Sequence, residues 1–167
     1  MATPTTLPAT AVAGEVLTAS YVNNLRGAFR VLQVVSGQTS TSASNATNTF
    51  ADTNLTATIT PSSATSKVLV MVVQNGVYKS AGNIQNRITI GLFRGATEIY
   101  TVSDILFTGT LLDLHGPTIS ILSLDSPATT SATTYKTQFR NPGAAATVSV
   151  QVNNLSSSSI ILAEISA

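Results

Sequence analysis

The feature that most constrains the fold is an uninterrupted apolar run, VLVMVV, at residues 68–73. Proline, serine and threonine precede this run, and Gln74-Asn75-Gly76 follows it. Side chains branched at Cβ pack well on a pleated surface, and the run is far shorter than the roughly 20 apolar residues that cross a membrane. A short apolar run between turn signals is typical of a strand buried on both faces. We therefore predict the central strand of a β-sandwich over residues 67–73.

Alternation between apolar and polar residues predicts further strands on both sides of this run. Arg94-Gly95-Ala96-Thr97 and Asn141-Pro142-Gly143 are each predicted to close a hairpin. A second apolar run at 160–162 predicts another strand buried on both faces. The predicted strands are 31–35, 55–59, 67–73, 87–94, 98–102, 118–124, 134–140, 148–152 and 159–165, and residues 105–113 fit either a strand or a loop. This pattern predicts an all-β chain, an antiparallel β-sandwich or jelly roll.

The N-terminal residues differ from the rest of the chain. Pro4 and Pro8 favour an extended arm over residues 1–16. Residues 17–29 place apolar side chains at helical spacing, and Thr18 is suited to cap that helix. We predict an arm and anchoring helix over 1–30 and a β-sandwich domain over 31–167, with the helix docking either onto its own sandwich or onto a partner. The predicted anchoring residues are Leu17, Tyr21, Val22, Leu25 and Phe29.

Charge and composition argue against several classes of function. Charged residues make up only 9% of the chain and the net charge is +1, so nothing steers it toward nucleic acid or anionic lipid. A chain with so few charges is predicted to bury part of its surface against other chains. It has no cysteine, and its N-terminus has neither the basic nor the long apolar region of a secretory signal. We expect no membrane insertion.

One histidine and one hydroxyl-rich tract are the strongest polar candidates. His115 is the only histidine, and Asp113 shortly before it supplies a second ligand where a zinc site needs three or four. We interpret His115 as a loop residue without a catalytic role, and we predict no metal, no cofactor and no catalytic residue. Residues 36–48 are rich in serine, threonine and asparagine, which fits either a mobile surface loop or a loop that contacts a receptor.

The remaining charged residues form no recognisable catalytic pattern. The acidic residues are scattered one per segment, whereas a glycosidase needs two carboxylates that face each other. The chain is therefore predicted not to be an enzyme. The basic residues Arg87, Arg94, Lys136 and Arg140 fall near predicted strand ends, where we expect solvated side chains or ion pairs between subunits.

Residues 13–25 (AGEVLTASYVNNL) are similar to a "GxxLTAxxLN" start that is common among structural proteins of tailed bacteriophages. The resemblance is strongest at 59–70 (ITPSSATSKVLV) and returns at 124–136 (LDSPATTSATTYK) and 160–165 (IILAEI). Proteins with this pattern are usually described as tail-fibre-like or virion structural proteins.

The resemblance implies a β-sandwich protomer in a homotrimer, made in the bacterial cytoplasm and held on the virion through residues 1–30. Two placements follow from it. In the first, the protein is a short tail fibre or tail adhesin whose loops at 36–48 and 105–116 face a host receptor. In the second, it is a capsid decoration protein that cements the head. A third hypothesis, from another class, is a carbohydrate-binding or carbohydrate-active module on the virion.

Overall fold

The computed structural model describes residues 30–80, 85–106, 113–144 and 146–166. Within these ranges the chain is built from antiparallel strands, with a single short 3-10 turn at Val152–Asn154. The predicted all-β class is confirmed. The predicted arm and the predicted helix over 17–29, with Leu17, Tyr21, Val22, Leu25 and Phe29, lie outside the described residues.

Twelve strands follow one another along the described chain. They are β1 (Val31–Thr39), β2 (Ala43–Asn45), β3 (Ala51–Ile59), β4 (Lys67–Gln74), β5 (Tyr78–Lys79), β6 (Ile88–Arg94), β7 (Thr97–Ile105), β8 (Leu114–His115), β9 (Ile119–Asp125), β10 (Thr133–Arg140), β11 (Val148–Val150) and β12 (Ser158–Ile165).

The longer strands form two four-stranded sheets. Sheet 1 has the order β1-β12-β4-β9 and sheet 2 the order β3-β10-β6-β7. The antiparallel pairs are nested, because β1 pairs with β12, β3 with β10, β4 with β9 and β6 with β7. The chain is thus a long hairpin rolled into two layers, which is the connectivity of a jelly roll. The predicted hairpin at Gly95 is confirmed as the β6–β7 pair.

A third, small sheet closes one end of the sandwich. The chain crosses between sheets 1 and 2 four times at this end, and each crossing contributes one short strand to the order β2-β11-β5-β8. The predicted hairpin after Asn141 is therefore wrong, because β11 leaves sheet 2 and pairs with β2 and β5. We call this end the small-sheet end.

The other end of the sandwich holds the first and last described residues. Arg30 and Ser166 form two hydrogen bonds of 3.0 Å, one between their backbones and one from the Arg30 amide to the Ser166 hydroxyl. The connections from β3 to β4 and from β9 to β10 lie at the same end, since Val31 pairs with Ile165 and Ile165 with Lys67. Residues 1–29 therefore join the sandwich at the end opposite the small sheet.

The core lies between sheets 1 and 2 and is built from alternate residues of each strand. Val70 on β4, Leu162 on β12, Ile90 on β6 and Phe139 on β10 are fully buried there. Such a core follows from the period of two along a strand, which sends successive side chains to opposite faces. Apolar burial of this kind is the main stabilising term for the fold.

Hydrogen bonds between buried polar side chains extend the core toward the small sheet. The Thr137 hydroxyl lies 2.5 Å from the Thr53 hydroxyl and donates to the Gln74 side-chain oxygen at 3.0 Å. Ser158 Oγ in turn accepts from Gln74 Nε2 at 3.1 Å and lies 2.8 Å from the Gln151 amide. All five side chains are inaccessible to solvent, so their mutual bonds satisfy polar groups that water cannot reach.

One prediction about an individual segment is wrong. Residues 36–48 are not a loop, because β1 continues through Thr39 in register with β12, and β2 follows it. The polar side chains of these strands largely face solvent, so the hydroxyl-rich sequence shows no apolar alternation from which the strands could be predicted. Gly37 permits the extension, since a Cβ there would lie 2.0 Å from the Thr56 carbonyl oxygen of sheet 2.

The strands predicted to be buried on both faces are buried on one. On β4 the side chains of Val68, Val70 and Val72 point into the core, whereas Val73 is 38% exposed. On β12, which pairs with β4, Ile161 is 37% exposed. Their second face is the outer face of sheet 1, and no described residue forms a layer over it.

Candidate functional site

The small-sheet end is the candidate contact surface. The two segments predicted to face a receptor, 36–48 and 105–116, contribute β2 and β8, which form opposite edges of the small sheet. The structure therefore brings both segments to one end of the sandwich, although it does not place them side by side. Residues 107–112 of the second segment lie outside the described residues.

Backbone hydrogen bonds hold the small-sheet end to the body of the sandwich. Gln151 donates its amide to the Asn75 carbonyl at 3.0 Å, and Val152 donates to the Gly76 carbonyl at 3.1 Å. Gly116 donates to the Val77 carbonyl at 2.7 Å. Gly76 has a φ of +61°, a conformation that glycine adopts without steric cost. These hydrogen bonds thus hold in place the backbone that carries the side chains of this end.

Tyr78 and His115 form a pair of rings on this backbone. They oppose each other across β5 and β8, with ring centroids 5.0 Å apart and planes inclined by 46°. Burial raises the pKa of Tyr78, and the charge of Asp113 and a hydrogen bond to that carboxylate raise it further. The phenol therefore keeps its proton at neutral pH and donates a hydrogen bond to the Asp113 carboxylate.

His115, interpreted from the sequence as a loop residue, lies in β8 opposite Tyr78. The spacing of Asp113 and His115 indicates two potential metal ligands, but the structure adds a tyrosine and no third ligand. Among the described residues, no group of three or more histidine, cysteine, aspartate or glutamate side chains is placed to hold a metal. Two tilted rings beside a carboxylate provide stacking surface and hydrogen-bond acceptors. Sequence reasoning missed Tyr78, because only the pairing of β5 with β8 brings it to His115.

Three of the aspartates form ion pairs within the chain. Arg87 contacts Asp104 at 2.6 Å, Arg94 contacts Asp125 at 2.8 Å and Lys136 contacts Asp52 at 2.8 Å. The fourth basic residue singled out, Arg140, places its guanidinium 4.8 Å from the centre of the Phe50 ring. These charged groups thus have partners in their own chain, whereas the sequence led us to expect either solvated side chains or ion pairs between subunits.

An open depression on the outer face of sheet 2 is the other candidate site. It is lined by Asp52, Asn54, Leu55, Thr56 and Lys136. Hydrogen bonding to Lys136 lowers the pKa of Asp52 despite opposition from burial, and a bond from Gln138 at 2.7 Å lowers it further. None of the residues that line this depression is aromatic, so it lacks the stacking surface of the small-sheet end.

Residues of three segments, 59–70, 124–136 and 160–165, stabilise the end opposite the small sheet. The buried Glu164 carboxylate accepts hydrogen bonds from the Gln33 amide at 2.7 Å, the Ser62 amide at 2.8 Å and the Ser62 hydroxyl at 2.7 Å. Asp125 accepts from the Tyr135 hydroxyl at 2.7 Å and binds Arg94. The segments 59–70, 124–136 and 160–165 therefore meet as parts of the scaffold.

Glu164→Gln is expected to weaken the acid sensitivity of folding. Burial alone would raise the pKa of Glu164, but hydrogen bonds from Gln33 and Ser62 outweigh it and hold the pKa below the ordinary value. A lowered folded-state pKa stabilises the protein above the unfolded pKa of about 4.3, and this stability is lost as pH falls through the folded value. The variant lacks this contribution, so its free energy of unfolding should fall less than that of the wild type between about pH 6 and pH 3.

The measurement is urea denaturation at both pH values, with Glu98→Gln as control because Glu98 is exposed on β7. Equal pH dependence of the wild type and the Glu164→Gln variant would show that the buried carboxylate does not couple folding to protonation.

The described residues thus offer a surface for binding at one end and a scaffold elsewhere. Across the ranges that the structure describes, no helix is long and apolar enough to cross a membrane. No protein-family model matches the chain, and no curated protein is significantly similar to it in sequence.

Proposed function

We propose that the chain is a bacteriophage virion structural protein, a homotrimeric short tail fibre or tail adhesin. Residues 1–30 attach it to other virion proteins, and the small-sheet end contacts the surface of the host cell. The resemblance of residues 13–25, 59–70, 124–136 and 160–165 to virion proteins supports the class. The separation of the two ends of the sandwich supports the adhesin, and it is the observation on which this proposal depends.

The separation follows from the direction of β1. This strand begins beside Ser166, where residues 1–29 join the sandwich, and ends at Thr39 next to the small sheet. Nine residues of extended strand span about 30 Å. An adhesin needs attachment and recognition at separate ends, because the receptor must be reached while the other end is held on the particle.

The recognition end has the chemistry of a polar ligand site. The rings of Tyr78 and His115 provide faces for stacking, and Asp113 provides acceptors for hydroxyl groups. A cell-surface glycan is the ligand class that fits these groups. No reaction is assigned to this end, and the protein is proposed not to be an enzyme.

Composition supports a subunit stabilised by its neighbours. Only 9% of the residues are charged, and a closed symmetric oligomer buries apolar surface that such a chain would otherwise expose. The stability of such a protomer depends on assembly. We propose a homotrimer on this ground, together with the resemblance.

A head decoration protein is the second candidate. The specific observation in its favour is that the described strands form one sandwich whose longest strands have nine residues, with no shaft among the described residues. In that role residues 1–30 lie across capsid subunits, and the small-sheet end projects from the head.

Two variants separate attachment from recognition. Removing residues 2–16, the predicted arm, is expected to leave a folded protein that is missing from purified particles. The double variant Tyr78→Ala/His115→Ala is expected to enter particles in wild-type amounts but to slow adsorption to the host about tenfold, the effect of losing roughly 1.4 kcal/mol of binding.

Immunoblots of purified virions and adsorption rates measure these outcomes. Wild-type incorporation of the truncated chain would contradict the attachment role, and wild-type adsorption by the double variant would contradict recognition by the ring pair.

A further inference from the structure

The outer face of sheet 1 is apolar and open. Across the four strands, one row holds Val34, Ala163, Leu69 and Leu124, and the next holds Ser36, Ile161, Met71 and Leu122. We call the six large apolar residues of these rows, Val34, Leu69, Leu124, Ile161, Met71 and Leu122, the apolar face. Leu122 is 68% exposed, Val34 60% and Leu124 55%. Single exposed leucines are ordinary, but a contiguous apolar patch on a soluble protein indicates a contact surface.

The outer face of sheet 2 provides the internal comparison. Its side chains include Thr58, which is hydrogen bonded to Thr134, and Asp52, which is bound to Lys136 and Gln138. These polar groups are solvated or bound to each other, whereas Phe93 on the same face is only 7% exposed because the Phe50 ring packs against it with centroids 5.1 Å apart. The two faces of one sandwich therefore have opposite character, which is the pattern expected when sheet 2 faces solvent and sheet 1 faces a third layer.

We propose that residues 17–29 pack on the apolar face of the same chain, with residues 17–26 as an amphipathic helix. The apolar side chains Tyr21, Val22 and Leu25 recur at helical spacing, and Phe29 follows them in the connection to β1. Covering the face would bury β4 and β12 on both sides, as their apolar sequences predict.

The position of the segment supports its own chain as the source. Arg30 directly precedes β1, which is an edge strand of sheet 1, so the stripe is tethered beside the apolar face. Gly27 suits the position just past a helix end, and residues 28–30 then form the connection to β1. A connection of this length lies within the roughly 2–6 residues usual between a helix and a strand.

The dimensions also fit one helix. Four strands spaced about 4.8 Å apart make a face about 14 Å wide between the outer strand axes. A helix of about ten residues is roughly 15 Å long and 10 Å in diameter. One helix laid on the sheet therefore covers most of the six apolar side chains.

A second copy of the sandwich fits less well. The apolar face covers about 300–400 Å², so two such faces packed together bury roughly 600–800 Å², less than the about 1,200 Å² of stable interfaces. A ring of subunits would instead place the apolar face against a different surface, and the outer face of sheet 2 is polar. The inference does not depend on a virion role for the protein.

Cysteine chemistry tests the inference, because the natural chain has no cysteine. In the full chain carrying Leu122→Cys, we expect maleimide to label the thiol at least about tenfold more slowly than in a Thr58→Cys chain, as for a site that reacts only on local opening. Thr58 is the control, because it is exposed on the outer face of sheet 2.

A second substitution tests whether residues 17–29 provide this protection. Adding Leu25→Asp should restore fast labelling of Cys at position 122. The matched change Asn23→Asp, on the opposite side of the predicted helix, should not.

A second measurement identifies the source of the covering segment. With Val22→Cys and Leu122→Cys in one chain, a short bismaleimide should link the two thiols within that chain, whereas Val22→Cys with Thr58→Cys should give no link. Labelling of Leu122→Cys as fast as Thr58→Cys would overturn the inference. Links formed only between two chains, or protection unaffected by Leu25→Asp, would also overturn it, because a second copy or another segment would then cover the face.

Discussion

Val70→Asp is expected to prevent the chain from folding. Val70 is fully buried on β4, where it stands between Leu162 of β12 and Ser123 of β9. An unpaired carboxylate at this position costs several kcal/mol, a large part of the roughly 5–15 kcal/mol by which a domain of this size is stable. The variant should accumulate as insoluble protein, and any soluble fraction should lack the far-ultraviolet circular dichroism of a β-sandwich.

Thr58→Asp is the matched control, because it places the same carboxylate on the exposed face of β3. It should fold, with a loss of about 1 kcal/mol or less, since surface substitutions rarely cost more. A soluble, folded Val70→Asp protein would remove Val70 from the core and contradict the assignment of the inner face of sheet 1.

Gly76→Ala is expected to be the second most damaging of these changes. Gly76 has a φ of +61°, and an added Cβ would lie 2.8 Å from the Val152 nitrogen and 2.9 Å from the Gln151 Cα. Backbone strain and overlap with the main chain each cost about 1–3 kcal/mol, so the free energy of unfolding should fall by roughly 3 kcal/mol or more.

Gly95→Ala separates these two contributions. Gly95 also has a positive φ, +58°, but a Cβ there would meet nothing within 4 Å. Only the backbone strain remains, and the expected loss is about 1–2 kcal/mol. Urea denaturation of both variants measures the difference, and equal losses at Gly76 and Gly95 would show that the connection from β4 to β5 is not packed against residues 151–152.

Sequence patterns predict the strands whose apolar residues alternate or cluster. The runs at 68–73 and 160–162 fall in β4 and β12, the two inner strands of sheet 1, and the turn at Gly95 joins β6 to β7. These features are local, since a strand's side-chain period and its turn residues lie within a few positions of each other. They are sufficient for the fold class.

The small sheet could not be predicted in the same way. Strands of two or three residues, such as β5 and β8, have no measurable period, and they pair only because the chain crosses between the two larger sheets beside them. The hairpin predicted after Asn141 is wrong for this reason. Asn141 instead binds Asn86 and the Ala146 carbonyl, and the chain turns out of sheet 2.

The candidate site shows the same division between local and long-range information. The closeness of Asp113 and His115 is visible in the sequence, but their contact with Tyr78 depends on the pairing of β5 with β8. In the sequence, Glu164 is likewise only a single acidic residue near the end of a predicted apolar strand. Its burial is explained only by Gln33 and Ser62, which reach it from distant parts of the chain.

The two ends of the sandwich connect the fold to the proposed function. If residues 17–29 pack on the apolar face, they fix the direction in which residues 1–16 leave the sandwich. The helix would then belong to the body of the protein, and the arm alone would reach the particle. Tyr78 and His115 would remain at the far end, about the length of β1 away from Arg30.

The most direct test of the virion role is the copy number of this protein in purified phage particles. Quantitative mass spectrometry against the major capsid protein gives this number. Roughly a small multiple of three copies per particle, similar to the tail components, is the result that a trimeric tail adhesin predicts. Hundreds of copies that scale with the capsid protein would contradict the tail placement and make the protein a head decoration, and its absence from particles would contradict the virion role itself.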